Sequence, residues 1–114
     1  MKPPGARYPD DADGQALHGL EADGSDLSKP MDIDFAVACP DEASGLAVAS
    51  EAAALGYGTE VGRDDGGAWC CSCTRHMVAT YEAIIAAQAE LDVVARRHGG
   101  HSDGWGTFGN AGLS

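Results

Sequence analysis

The sequence predicts an α+β domain of ferredoxin-like topology: a four-stranded antiparallel sheet with two helices on one face, preceded by a short helix. Three observations carry that expectation. The 114 residues suit one domain, since domains cluster near ~100–150 residues. After a leading helical stretch, the apolar period switches between two and ~3.6 in the order β-α-β-β-α-β, and its two βαβ halves are the split pattern of that fold. Proline, glycine or Asp-Gly punctuation closes each element.

Residues 1–10, with Pro3, Pro4, Gly5 and Pro9, show no periodicity and read as a tail. The domain is expected over residues 11–108, followed by a loose tail over 109–114. A helix is expected from about Asp11 to Ala22, with Ala16, Leu17 and Leu20 as its apolar stripe, then a turn at Asp23-Gly24-Ser25. The pattern from Met31 to Cys39 reads as a strand, because Ile33, Phe35 and Val37 alternate with Asp34, Ala36 and Ala38. Pro40 ends it, and Asp41 is placed to cap an alanine-rich helix running to about Leu55. Ala43, Leu46, Ala47, Ser50 and Ala54 share one side of that helix, and Gly56 stops it.

Two strands follow, one around Thr59 and Val61 and one from Ala68 to Thr74, joined by a hairpin turn at Asp64-Asp65-Gly66-Gly67. The longest helix is expected from Ala79 to His98. Tyr81, Ile84, Gln88, Leu91 and Ala95 fall in one sector there, with Val94 at its edge. Gly99-Gly100 stops it, and a last strand runs from about Ser102 to Phe108. The alternation does not say which face of the sheet the helices cover.

Charge narrows the function classes. Eighteen carboxylates against seven lysines and arginines give −11. Most of the excess lies in residues 31–66, which hold Asp32, Asp34, Asp41, Glu42, Glu51, Glu60, Asp64 and Asp65. Such a surface repels phosphate backbones and attracts basic partners, so a protein partner is expected and direct nucleic-acid binding is not. The start, MKPPGARYPDDADG, lacks the apolar run of a signal peptide. No stretch approaches the ~18 apolar residues that would cross a membrane. A cytoplasmic setting with free thiols at Cys39, Cys70, Cys71 and Cys73 is the resulting expectation.

Three blocks in order carry a resemblance. Asp26-Leu27-Ser28-Lys29-Pro30-Met31-Asp32-Ile33-Asp34-Phe35 is similar to the "DL..P..VDF" stretch of the family called regulator of ribonuclease E activity B. Pro40-Asp41-Glu42 followed by Leu55-Gly56-Tyr57 resembles that family's first helix and its exit. Gly99-Gly100 with Asp103-Gly104-Trp105-Gly106-Thr107 resembles its terminal "GG..DGWGT" signature. Met77, Thr80 and Ile84 fall where the family has these residue types at the start of its second helix. The likeness covers roughly residues 11–108. It implies a ferredoxin-like, cytoplasmic, non-enzymatic protein that binds an E/G-type endoribonuclease and lowers its RNA cleavage. The Cys70-Cys71-Ser72-Cys73 run is no part of that pattern.

Each chemical motif has a plain structural alternative. Cys70, Cys71, Cys73 and His76 are soft ligands within seven residues, with His98 and His101 further on. On a strand, however, Cys71 and Cys73 point away from Cys70, so three thiols do not meet at one ion. Small thiols packed about a sheet are the better reading; a site on Cys71, Cys73 and His76, with His76 in a turn, is the metal-binding or thiol-sensing alternative. Neither a cofactor nor a catalytic residue is expected: Cys71-x-Cys73 lacks redox spacing, and the Gly56-Tyr57-Gly58 triplet lacks a dinucleotide-site context.

Asp32 and Asp34 share a strand face as solvated carboxylates. Trp105, between two glycines, fits packing better than an interface role. The partner-binding candidates are therefore Asp32, Asp34, Asp64, Asp65, Asp103 and Trp105, on an acidic surface of an open sheet face. A homodimer in which open sheet faces pair is a further alternative.

Overall fold

A computed structural model describes residues 12–22 and 24–107. The expected tails, Asp11, Asp23 and the strand end at Phe108 lie outside the described residues. The element order is α1 (Ala12–Ala22), β1 (Pro30–Cys39), α2 (Glu42–Ala54), β2 (Gly58–Arg63), β3 (Trp69–Val78), α3 (Tyr81–Arg96) and β4 (His101–Gly106). The strands form one antiparallel sheet in the order β2-β3-β1-β4. This is the expected ferredoxin-like α+β arrangement with its leading helix.

Local chemistry sets the ends of the helices. The Asp41 carboxylate accepts from the Ser44 amide at 2.8 Å, and the Thr80 hydroxyl accepts from the Ala83 amide at 3.1 Å, so each first turn has its orphan donor satisfied. At the other end of α3, the Gly100 amide donates to the Ala95 carbonyl at 2.9 Å. Gly99 supplies the left-handed step at φ 79°, which closes the helix in the manner of a Schellman motif.

Period two divides the sheet. Met31, Ile33, Phe35, Val37 and Cys39 of β1 are buried, as are Cys71 and Cys73 of β3. They pack with Val48 and Ala52 of α2, Ile84, Leu91 and Val94 of α3, and Leu17 of α1. Phe35 meets Tyr57 edge-on, with ring centroids 6.1 Å apart, an arrangement that adds to plain area burial.

Several expectations need correction. Strand β3 runs on to Val78 rather than stopping at Thr74, because β1 pairs with it along its whole length, from Pro30↔Val78 to Cys39↔Trp69. His76 therefore sits on a strand, not in a turn, and Met77 lies within β3 rather than at the start of a helix. Helix α3 begins at Tyr81, two residues later than expected.

The face of α2 is also different. Gly45, Val48 and Ala52 are buried, while Ala43, Ser50, Ala54 and Leu46, the last 56% exposed, look outward. In so alanine-rich a helix every face is nearly equally apolar, so contact with the sheet decides. A Cβ on Gly45 would lie 2.9 Å from Val61 Cγ1; glycine there lets the helix settle on β2. In α1, Leu17 is fully buried, Leu20 half-buried and Ala16 exposed.

Candidate functional site

All three helices pack on one side of the sheet. Helix α1 reaches it through α3 and the Asp13 carboxylate, which accepts from Gln88 at 3.3 Å and from Trp105 Nε1 at 2.7 Å. No described helix covers the other side. The register assembles that open face: Asp32, Asp34, Ala36 and Ala38 of β1 lie opposite His76, Thr74, Ser72 and Cys70 of β3. Glu60 and Gly62 of β2 flank Ser72 and Cys70, and His101 and Gly106 of β4 flank Ala38 and Asp34. The centre is floored by small residues and ringed by carboxylates.

Two of those carboxylates are tied down. The Thr74 hydroxyl donates to Asp34, and Asp32 Oδ1 lies 2.9 Å from His76 Nδ1. Asp32 and His76 remain 74% and 66% exposed, so the pair is screened and contributes little to stability. Asp103 follows Ser102, whose partner Val37 belongs to the core side, and therefore faces the open side. Partial burial raises the Cys70 thiol pKa, and the charges of Asp64, Asp103 and Glu60 push it further up. The same carboxylates thus surround Cys70 and disfavour its thiolate.

The arginines sit elsewhere. The Arg63 guanidinium lies 4.7 Å from the centroid of Trp69, and that of Arg75 lies 3.8 Å above Tyr57. Arg75 also donates to the Leu55 carbonyl at 2.7 Å. Arg96 pairs with Asp92 and Arg97 with Glu51, both at 2.7 Å. Every described arginine is thereby held on the helix side. The open face carries Asp32, Asp34, Glu60 and Asp103 with no lysine or arginine among its described strand residues.

The sequence-derived candidates do not all belong to this face. Asp32, Asp34 and Asp103 do. The Asp64 carboxylate builds the hairpin, accepting from the Gly66 and Ala68 amides at 2.9 Å each, and Asp65 is exposed at the turn. Trp105 lies opposite Phe35 on the helix side, packs against the core and donates to Asp13, so its packing role is the observed one. Trp69 packs there too. Glu60 was missed as a candidate, because only the β2–β3 register brings it beside Ser72.

Cys71 and Cys73 lie side by side in the core with sulfurs 3.8 Å apart, and the hydrogen bond they share together with burial drives the Cys73 thiol pKa far up. His76 projects from the opposite face, so the Cys71, Cys73 and His76 set does not converge. Among the described residues no group of three metal-ligating side chains comes together.

The terminal signature turns out to be structural. Gly100 passes so close to β1 that a Cβ would fall 2.2 Å from the Ala38 carbonyl oxygen. Gly104, at φ 95°, lies where the β1–β4 register shifts, as a bulge requires. The Thr107 hydroxyl donates to the Asp32 carbonyl. Residues 10–107 match the family model described as Regulator of ribonuclease activity B. No curated protein matches the chain.

Proposed function

This chain belongs to the regulator of ribonuclease activity B family, and on that premise we propose that it is a non-enzymatic regulator of an E/G-type endoribonuclease. It acts by docking its acidic open sheet face onto a basic segment of the enzyme. The observation that carries this reading is the placement of the cations: every described arginine is held on the helix side, while the uncovered face carries Asp32, Asp34, Glu60 and Asp103 with no lysine or arginine among its described strand residues. Asp32, Asp34, Glu60 and Asp103 would stand where RNA phosphates otherwise bind, so that docking competes with substrate rather than cutting it. Charge arranged on one face also speeds encounter with an oppositely charged partner. No helix of the described residues is long and apolar enough to cross a membrane, in keeping with a protein that works in the cytoplasm.

The test is a titration into the host's own E/G-type ribonuclease, following binding and RNA cleavage at two salt concentrations. Binding that weakens steeply with salt and slows cleavage supports the reading. Salt-insensitive binding would place the contact on an apolar surface, and no binding at micromolar concentration would sink it.

A further inference from the structure

The sheet has two edges, and they are finished differently. Edge β4 is irregular: its register with β1 shifts between Phe35 and Val37, with Gly104 at positive φ. Bulges of this kind blunt an edge against further pairing. Edge β2 is regular. All six residues, Gly58 to Arg63, pair in unbroken register with β3, and the strand contains no proline, lysine or bulge.

Hydrogen-bond alternation shows which groups β2 leaves unpaired. The Asp64 amide donates to the Ala68 carbonyl at 2.9 Å, so even-numbered residues of β2 bond to β3. The backbone N–H and C=O groups of Thr59, Val61 and Arg63 therefore point outward along the edge. Above them lies α2, seated on Val61 at Gly45. Glu51 and Ala54 of α2, with Leu55 just after it, line a groove with α3. By helical geometry Leu46, Ala49 and Ala53 occupy the opposite side and overhang the β2 edge. Leu46 is 56% exposed.

We propose that the β2 edge is a strand-addition site for an extended segment in which basic and apolar residues alternate. Backbone pairing to Thr59, Val61 and Arg63 would supply the main contact. Segment residues opposite Val61 share its side of the sheet and meet Leu46 and the α2 alanines, so they are apolar. Those opposite Glu60 and Gly62 share the open face. There they meet the Glu60 carboxylate, and a Cβ at Gly62 finds nothing within 4 Å, which leaves room for a lysine or arginine stem. A second copy of this chain is disfavoured as the occupant, because it would bring another −11 and the same carboxylates to the edge. The inference rests on the proposed acidic docking face and extends it to the partner segment's conformation.

The experiment uses the whole protein and a decapeptide of alternating lysine and valine, beside the same peptide N-methylated at alternate residues on one edge and, separately, on the other. Addition to β2 predicts that the unmodified peptide slows hydrogen exchange at the Thr59, Val61 and Arg63 amides at least about tenfold, as expected of newly bonded amides. It also predicts that one of the methylated forms binds at least about tenfold more weakly, because its donors are lost where they are needed. Thr59→Pro, which removes an outward N–H without costing a β3 bond, should weaken the peptide similarly.

Equal binding of all three peptides, or peptide binding with unchanged edge amides, overturns the proposal. So does concentration-dependent dimerisation that slows exchange at the same amides without peptide. The two readings fail separately. Ribonuclease binding unaffected by Thr59→Pro removes the strand-addition site and leaves the docking face. Edge-specific peptide binding without ribonuclease binding removes the enzyme as partner and leaves the site.

Discussion

Strand β1 presents Ile33, Phe35 and Val37 to the helices and Asp32, Asp34, Ala36 and Ala38 to the open side. Neighbouring residues of one strand thus live under different physics. On the helix side, tightly packed apolar groups make each atom count, because a vacated volume is only partly refilled. On the open side, side chains are screened by water and a carboxylate changes little about folding. The helix side therefore sets stability and leaves the open side free for the proposed docking, and the family signature belongs mostly to the first. Gly100, Gly104 and Trp105 shape β4 and its packing.

Phe35→Ala should have the largest effect, costing about 3–5 kcal/mol in chemical denaturation. A loss below about 1 kcal/mol would mean that the helix-side core does not hold the fold. Gly100→Ala comes next. Its new Cβ would press on the Ala38 carbonyl oxygen, and a destabilisation of about 1–3 kcal/mol is expected from the forced backbone shift. A neutral outcome would show that β4 can move away at little cost.

The double change Asp32→Asn and Asp34→Asn sharpens the contrast from the other side. Asparagine keeps an acceptor for the Thr74 hydroxyl, so stability should stay within about 1 kcal/mol. Ribonuclease binding at low salt should fall about tenfold or more, the effect expected of losing charge complementarity. Unchanged binding would move the docking surface away from this face.

Smaller effects come from titration. The Arg96 guanidinium, with the Ser102 amide, lowers the Asp92 carboxyl pKa; His98 and Arg97 do the same for Glu51. Because these pKa values are lower folded than unfolded, the stability they give is present above the ordinary carboxylate range and is lost as pH falls through the folded values. Acid unfolding curves should lose part of that transition in Asp92→Asn.

At the alkaline end, burial and the hydrogen bond to Glu90 push the Tyr57 pKa up to about 12. Its contribution is complete below the unfolded value near ~10 and disappears as pH rises through about 12. Absorbance titration of tyrosinate should show one late-ionising group that becomes normal on unfolding. A Tyr57 that ionised with exposed tyrosines would contradict its burial.

How much of this was legible depends on the element. Order and type could be read throughout, since the cap at Asp41 and the stops at Gly56 and Gly99 act within a few residues; the cap at Thr80 was not read, and the start of α3 was placed two residues early. The end of β3 could not, because Arg75 to Val78 become strand only by pairing with β1. The buried side of α2 could not either: alanine marks no preferred face, and Gly45 against Val61 settled it. Of the candidate residues, Asp32, Asp34 and Asp103 reached the open face, whereas Asp64 and Trp105 were drawn into a turn and the core.

The sequence by itself determined the succession of elements and the acidity, because these rest on local periodicity, local capping and composition, and its motif blocks carried the resemblance to the family. Only the tertiary structure decided which face of the sheet is covered, where the arginines are held and which edge is left regular. Those outcomes depend on register and helix placement between segments far apart in the chain, which no local pattern encodes.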